Sequence, residues 1–354
     1  MSRVFAAAAL CVFLAAPAAR SAEIDMVKRV EELKGLKFGM FIHWSLATFT
    51  GNDIALGGTK VSVFNPGGCD TDQWASVAKE ADMRYMLFVT KHADGFCLWD
   101  TKTTGRKATN SPLGKDVLAG VRKSCDKHGL KLALYYGQGD WTWPGAIDGG
   151  ANWPGAVKGK KYPGGMVSGV DQGGGSNPEV KKAQLKELLT EYGPVEFIWF
   201  EHSLGDGGLN HQATAAFVKS LQPGCFVGFN HGPPAGDLRL GEDGRPARLD
   251  DPSGAGVGRR QEGIGEYKGY LAAEFSVTIQ RERDKRALWF YSSPENDDQA
   301  MPAEAIFRLY QGAVKYGNIF TLDLGPDRAG RLREIDVKTL RKVGVMIRES
   351  STGK

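Results

Sequence analysis

Short apolar runs of strand length alternate with segments of helical period along most of this chain. The runs are nearly continuous in apolar residues, as in FGMFIH, LKLALYY and IFTLDL, which is typical of parallel strands buried on both faces. The predicted strands are residues 38–43, 85–92, 130–136, 195–201, 225–230, 275–279, 287–291 and 319–324. The predicted helices are residues 71–81, 115–128, 178–192, 211–221, 303–316 and 334–347. Such alternation predicts parallel strands joined by helical crossovers.

About eight strands in a chain of this length fit one (β/α)8 barrel, TIM-like and built as a single domain over residues 23–354, better than they fit an open sheet. Polar side chains stand at or near the C-terminal ends of five predicted strands. They are His43, His92, Tyr136, Glu201 and Asn230. Barrels of this kind carry their chemistry at that end of the strands. The sequence therefore predicts that these side chains ring the mouth of the barrel.

The first 22 residues resemble a secretory signal peptide. An apolar run from Val4 to Ala19 follows a single Arg, and Ala19 with Ser21 fits the small-x-small cleavage pattern. This run is short for a bilayer crossing, and no later segment is long and apolar enough, so the sequence predicts no membrane span. We therefore expect cleavage near Ser21 or Ala22 and a secreted or periplasmic protein.

Composition and charge narrow the function classes. The formal net charge is +4 with 24% charged residues, and no basic run interleaves with aromatic residues, so we expect no nucleic-acid partner. No Cys or His spacing matches a metal site, so we expect neither a metal nor a cofactor. The 8 Trp and 47 Gly residues suit a sugar site, because aromatic rings cover sugar faces, but they equally suit ordinary cores and turns.

The segment VEFIWFEHS, residues 195–203, carries the most informative acid. Strand side chains alternate between faces, so Val195, Phe197, Trp199 and Glu201 share one side, and Glu201 ends an apolar column. This carboxylate is either a solvated strand end or a catalytic group. A mouth lined by His, Tyr, Trp and carboxylates favours acid–base chemistry on a polar, uncharged substrate. Glycoside hydrolysis, which needs two carboxylates, is the natural candidate.

Several segments also resemble glycoside hydrolase family 29, the α-L-fucosidases. They are KFGMFIHWS (37–45), TKHADGFCLWDTKTT (90–104), HGLKLALYY (128–136), QLKELLTEYGPVEFIWFE (184–201) and NIFTLDLGP (318–326). They follow one another in order, and the match covers nearly the whole mature chain. The resemblance implies a (β/α)8 barrel and a retaining exo-glycosidase that acts on an oligosaccharide or glycoconjugate without metal or cofactor.

The resemblance also implies roles for individual residues. Glu201 takes the position of the nucleophile, and Glu242, in the loop GDLRLGED, takes that of the acid/base residue. The candidate sugar-binding residues are His43, Trp44, His92, Tyr136, Trp199, His202 and His231. The alternatives are a solvated loop position for Glu242 and a satisfied core position for His43 and His92.

The chain departs from the family pattern at its candidate site. The family nucleophile is Asp where this chain has Glu201, a Gly commonly follows it where this chain has His202, the second His of a pair is Ala93, and an Arg is replaced around residues 230–231. Restoring His at position 93 is expected to help if the site still takes fucose. The alternatives are a glycosidase for another deoxy- or galacto-configured sugar and a glycan-binding barrel without turnover.

Overall fold

The computed structural model describes residues 24–51, 54–144, 146, 174–203, 205–242, 271–283 and 287–352. The signal peptide predicted for residues 1–22 lies outside this part of the chain and stays a prediction. Among the described helices, none combines the length and the apolar character that a bilayer crossing requires.

Eight parallel strands form the centre of the fold. They are β1 (Phe38–Ile42), β2 (Tyr85–Lys91), β3 (Lys131–Gly137), β4 (Phe197–Glu201), β5 (Phe226–Phe229), β6 (Leu238–Gly241), β7 (Ala272–Thr278) and β8 (Ile319–Leu324). They pair in the order β5-β4-β3-β2-β1-β8-β7-β6. Between β5 and β6, the Asp237 N–H donates to the Val227 carbonyl (2.9 Å) and the Val227 N–H donates to Asp237 Oδ1 (2.6 Å). The sheet is therefore a nearly closed (β/α)8-like barrel.

The described helices lie around the barrel. They are α1 (Met26–Leu36), α2 (Leu46–Thr50), α3 (Thr71–Glu80), α4 (Val117–His128), α5 (Pro178–Thr190), α6 (His211–Leu221), α7 (Ala303–Lys315) and α8 (Glu334–Thr352). Short 3-10 turns lie at Val61–Val63, Ala108–Asn110 and Pro294–Asn296. Asp70, Asp116, Asn177 and Asn210 each accept a backbone N–H of the first helical turn. These N-caps explain where α3 to α6 begin.

The sequence prediction is confirmed for most strands and is wrong for one. Residues 287–291 read as a strand, but only Ala287 forms a bridge, to Arg281, and the rings of Trp289 and Phe290 pack against His43. The strand β6 lies instead in a segment expected to be a loop. Its four residues, LRLG, are too few to show a period.

Helix α1, which the sequence analysis did not predict, closes the N-terminal end of the barrel. Leu33 is fully buried in the cluster of side chains that fills the barrel interior, and Val30 packs beside it. Burial of such a side chain is worth about 1.5–3 kcal/mol. Arg29 Nη2 also donates to Glu196 (2.8 Å) and to the Gly224 carbonyl (3.2 Å). These contacts fasten α1 to the residues that precede β4 and β5.

Side-chain alternation on β4 sorts its residues between the two layers of the core. Phe197 and Trp199 belong to the interior cluster, while Ile198 and Phe200 pack under the helices. Glu201 is the next residue on the interior side, at the C-terminal end of the strand. The alternation seen in the sequence therefore delivers this carboxylate to the barrel mouth.

A second acid, Glu274, lies deeper in the barrel on β7. Its side chain is fully buried, and its neighbours in the ladders are Leu240 and Ile319. Burial, aided by the negative charge of Glu242, raises the pKa of Glu274 well above its ordinary 4.5. The folded protein therefore keeps a proton that the unfolded chain releases above about pH 4.5, and this proton makes stability fall as pH rises.

We predict that Glu274→Gln, which mimics the protonated acid, gains stability over the parent protein between pH 4.5 and pH 8. The gain follows because the variant has no carboxyl that ionises only in the unfolded state. Urea unfolding at both pH values measures it, with Glu349→Gln on the exposed face of α8 as the control. An equal response of the two variants to pH would contradict the prediction.

Candidate active site

Glu201 is held at the end of β4 by donors on both of its carboxylate oxygens. Trp199 Nε1 donates to Oε2 (2.7 Å), and the His202 N–H donates to Oε1 (2.9 Å). The Asn230 amide donates to both oxygens, at 3.0 and 2.9 Å. The residue is only 6% exposed. This many donors compensate the carboxylate for the water it loses on burial.

The backbone turn after β4 explains the contact from His202. This residue has a left-handed conformation, with φ 55°, which favours Gly and is strained for a residue with a Cβ. The turn places the His202 N–H on Glu201, and the Ser203 N–H donates to the Asn230 carbonyl (3.2 Å). A Gly, the residue the family resemblance leads one to expect here, would fit this turn without strain.

The second carboxylate, Glu242, directly follows β6 at the same end of the barrel. Its Oε2 accepts a hydrogen bond from the Asn230 amide (2.6 Å) and lies 3.2 Å from His231 Nε2. His231 Nδ1 lies 3.5 Å from Glu201 Oε1. One oxygen from each carboxylate and one His231 nitrogen all lie within 4.8 Å of one another. Asn230 and His231 thus join the two acids.

The charges of the mouth favour an ionised Glu201. Burial raises the pKa of this carboxyl, but the His231 hydrogen bond, the charges of His202 and His231 and the His202 N–H outweigh burial and hold the pKa well below its usual range. Burial, with the charges of His202 and His43, lowers the pKa of His92 well below 6.5. His92 is therefore a neutral imidazole at neutral pH.

Aromatic rings and a buried hydrogen bond form the rest of the mouth. His92 stacks on Tyr135 with ring centres 5.7 Å apart, and the ring of His202 meets His92 edge-on at 5.2 Å. His43 Nδ1 is hydrogen-bonded to Asp323, and the centre of the His43 ring lies 5.0 Å from the centre of the Phe290 ring. The mouth therefore offers rings and polar nitrogens around the two carboxylates, as a sugar site requires.

Two candidate sugar-binding residues lie outside this group. Trp44 donates its indole N–H to the Asp327 carbonyl, and its ring packs against Phe64 and Trp74 under the helices. The Tyr136 hydroxyl donates to Gln184 on the outer side of β3. Strand alternation turns Tyr136 to the outer layer and brings the preceding residue, Tyr135, to the interior.

The structure brings together most of the other predicted residues and adds some that the sequence analysis missed. The predicted residues at the mouth are His43, His92, Trp199, Glu201, His202, Asn230, His231 and Glu242. The added ones are Tyr135, Trp289, Phe290 and Asp323. Asp323 could have been found, because it is an acid inside the apolar run IFTLDL. Trp289 and Phe290 were hidden in the strand expected at 287–291.

A group able to hold a metal ion also forms here, although no ligand spacing in the sequence indicates it. Its members, Glu201, His231 and Glu242, follow or end three strands that are neighbours in the barrel. Metal-site spacing in a sequence reveals ligands on one loop or helix. Here the ligands come from three successive strands, 30 and 11 residues apart, and leave no such pattern.

Comparison with known proteins agrees with this geometry. A sequence model of the α-L-fucosidase family matches residues 58–351. The chain belongs to the α-L-fucosidase family. α-L-Fucosidase 1 of Arabidopsis thaliana is 26% identical over 328 residues, which are 87% of this chain and 57% of that protein. The putative α-L-fucosidase 1 of Oryza sativa subsp. japonica is 24% identical over 86% of this chain and 55% of its own. The chain thus spans little more than half the length of these relatives.

Solved α-L-fucosidase structures share the fold. α-L-Fucosidase isoenzyme 1 from Paenibacillus thiaminolyticus aligns with a TM-score of 0.72 and 23% identity over 92% of this chain and 76% of that one. α-L-Fucosidase AlfC from Lactobacillus casei, solved with its α-L-fucose product, aligns with a TM-score of 0.66 and 21% identity over 92% of this chain and 99% of that one.

The space beside His92 is closed in this member of the α-L-fucosidase family. Ala93 is fully buried, packs with Trp141 and Ile54, and accepts the Trp141 backbone N–H on its carbonyl (2.8 Å). A His side chain at position 93 would therefore meet packed neighbours. The structure thus contradicts the premise that a restored His would simply regain a contact with the sugar.

We predict that Ala93→His destabilises the protein by about 1–3 kcal/mol, the usual cost of overpacking a filled site. Urea unfolding measures the loss, and Ala93→Ser, which adds little volume, is the matched control. Unchanged stability together with faster fucoside turnover would contradict the packing argument.

Proposed function

We propose that this chain is an exo-acting α-L-fucosidase that hydrolyses terminal α-L-fucosyl residues by a retaining double displacement. The observation that carries the proposal is the spacing of Glu201 and Glu242, whose nearest oxygens lie within 4.8 Å at the mouth of a fucosidase-family barrel. Oxygens this close fit the retaining arrangement, with its carboxyl groups about 5–5.5 Å apart, better than the inverting one, which needs roughly 6.5–9.5 Å to admit a water molecule.

The surroundings of the two acids suit different roles. Glu201 is buried, bonded on both oxygens and favoured as an anion, which suits a nucleophile. The Glu242 side chain is 25% exposed and can exchange protons with a leaving group or water. In the first step Glu201 attacks the anomeric carbon while Glu242 gives its proton to the departing oxygen. In the second step Glu242 takes a proton from water, which attacks the same carbon and releases Glu201.

Ring nitrogens, a phenol hydroxyl and aromatic faces would bind the sugar. His92, Tyr135 and His43 offer polar atoms beside aromatic surface, and Trp289 and Phe290 add further rings. Such a site favours an uncharged glycan over a charged ligand, because it pairs hydrogen-bonding groups with apolar surface.

We also propose that the protein is secreted or exported to the periplasm, because residues 1–22 resemble a signal peptide. N-terminal sequencing of the exported protein tests this proposal.

A glycosidase for another deoxy- or galacto-configured sugar is the second candidate. The observation that favours it is Ala93, which is buried where the family resemblance leads one to expect a second His. A pocket without that imidazole has one hydrogen-bonding group fewer to contact the sugar. Such a pocket selects a sugar with a different arrangement of hydroxyl groups.

A panel of nitrophenyl glycosides tests both candidates. Release of nitrophenol from the α-L-fucoside supports fucosidase activity, and release from another glycoside alone supports the second candidate. Binding of sugars without any release would contradict both, and would indicate a glycan-binding barrel.

We predict that Glu201→Gln lowers kcat on the best substrate of this panel by at least about 10³-fold, because an amide cannot act as the nucleophile. The fold should stay intact, as thermal unfolding will show. Glu196→Gln is the matched control, since Glu196 lies just before the same strand at the opposite end of the barrel, paired with Arg29. Near-normal turnover by the Glu201 variant would refute the assignment.

A further inference from the structure

Three potential metal ligands converge at the mouth from neighbouring strands. Glu201 ends β4, His231 follows β5, and Glu242 follows β6. His231 Nδ1 lies 3.5 Å from Glu201 and His231 Nε2 lies 3.2 Å from Glu242, and one ligand atom from each of the three residues lies within 4.8 Å of the others. Zinc binds imidazole nitrogen and carboxylate oxygen at about 2.0–2.2 Å, so ligands that share one ion lie roughly 3–4.5 Å apart. The three side chains therefore lie near the spacing of a coordination shell, and one His231 nitrogen could coordinate the ion once the ligands move slightly closer together.

We propose that Glu201, His231 and Glu242 bind one divalent transition-metal ion, zinc above all, and that the bound ion inhibits the hydrolysis proposed above. The inhibitory part rests on that proposed function. The binding part rests on the ligand geometry alone.

The ligand chemistry selects the kind of ion. One imidazole with two carboxylates suits zinc and its first-row neighbours, whereas magnesium and calcium prefer shells made only of oxygen. Solvent can reach the site from the His231 side, because this side chain is 38% exposed and Glu242 is 25% exposed. Three protein ligands leave at least one coordination position for water.

Neighbouring donors hold the deepest ligand in place. The Trp199 indole and the Asn230 amide fix the Glu201 carboxylate, as outer-shell hydrogen bonds do at known metal sites. The backbone of His231 has a left-handed conformation, with φ 58°.

A bound ion would block both catalytic roles. A carboxylate oxygen that coordinates zinc shares a lone pair with the metal, so Glu201 would be a much weaker nucleophile towards carbon. Glu242 would have to lose its proton to become a ligand, since a metal ligand must be deprotonated. The enzyme would then have neither an effective nucleophile nor an acid until the ion leaves.

Direct binding measurements test the site without reference to activity. Chelator-stripped protein is dialysed to equilibrium against zinc at pH 7, and cobalt(II) is added separately to read visible absorption bands of the bound ion. We predict one zinc per chain, and binding at least about tenfold weaker in His231→Gln, the loss that even an outer-shell partner can cause. His128→Gln is the control, because His128 ends α4, away from the mouth, beside Asp72.

Each outcome decides one part of the proposal. Failure of the parent protein to bind zinc, equal binding by His231→Gln, or displacement of zinc by millimolar magnesium would overturn the site. Inhibition of nitrophenyl glycoside hydrolysis by zinc, reversed by EDTA, supports the inhibitory role, and activation by zinc overturns it. Zinc binding by a protein that hydrolyses no glycoside would support the metal site while refuting the proposed function.

Discussion

Two carboxylates held within 4.8 Å repel each other, and the candidate site depends on the donors that offset this repulsion. At an effective dielectric constant near 20, two full charges at that distance repel by about 3–4 kcal/mol. The Asn230 amide donates to both acids, and His231 reaches both with its two ring nitrogens. Without these two residues the acids would move apart or one of them would stay protonated. The same donors favour the anion of Glu201.

The barrel supplies the positions for this arrangement. Glu201, Asn230 and Glu242 end or directly follow β4, β5 and β6, and the end of each parallel strand faces the same mouth. The join between β5 and β6 depends on Asp237, whose backbone and side chain both bond Val227. This join places the carboxylate after β6 beside the amide after β5. The geometry of the acids is thus a consequence of strand register.

The sequence predicts the barrel well because apolar runs and caps are local signals. The bounds of α6 and β8 match the sequence prediction residue for residue, and alternation alone places Glu201 at the mouth.

The prediction from the sequence fails where the position of a residue depends on packing. Tyr135 and Tyr136 are adjacent residues of the same type. Only the way in which β3 packs in the barrel determines that Tyr135 faces inward. The aromatic run at 287–291 has the pattern of a strand, yet its rings pack on His43. The contact between His231 and the two acids joins residues from three different strand ends. No pattern within a short stretch of sequence predicts it.

The central claim is that Glu201 and Glu242 stand at the separation used for double displacement. The most direct test is proton NMR of the reaction in its first minutes, before the free sugar equilibrates between anomers. Retention, with the α-anomer of L-fucose appearing first from an α-L-fucoside, is the result that this account predicts. First appearance of the β-anomer would show inversion by a single displacement, and would contradict the role of Glu201 as a nucleophile.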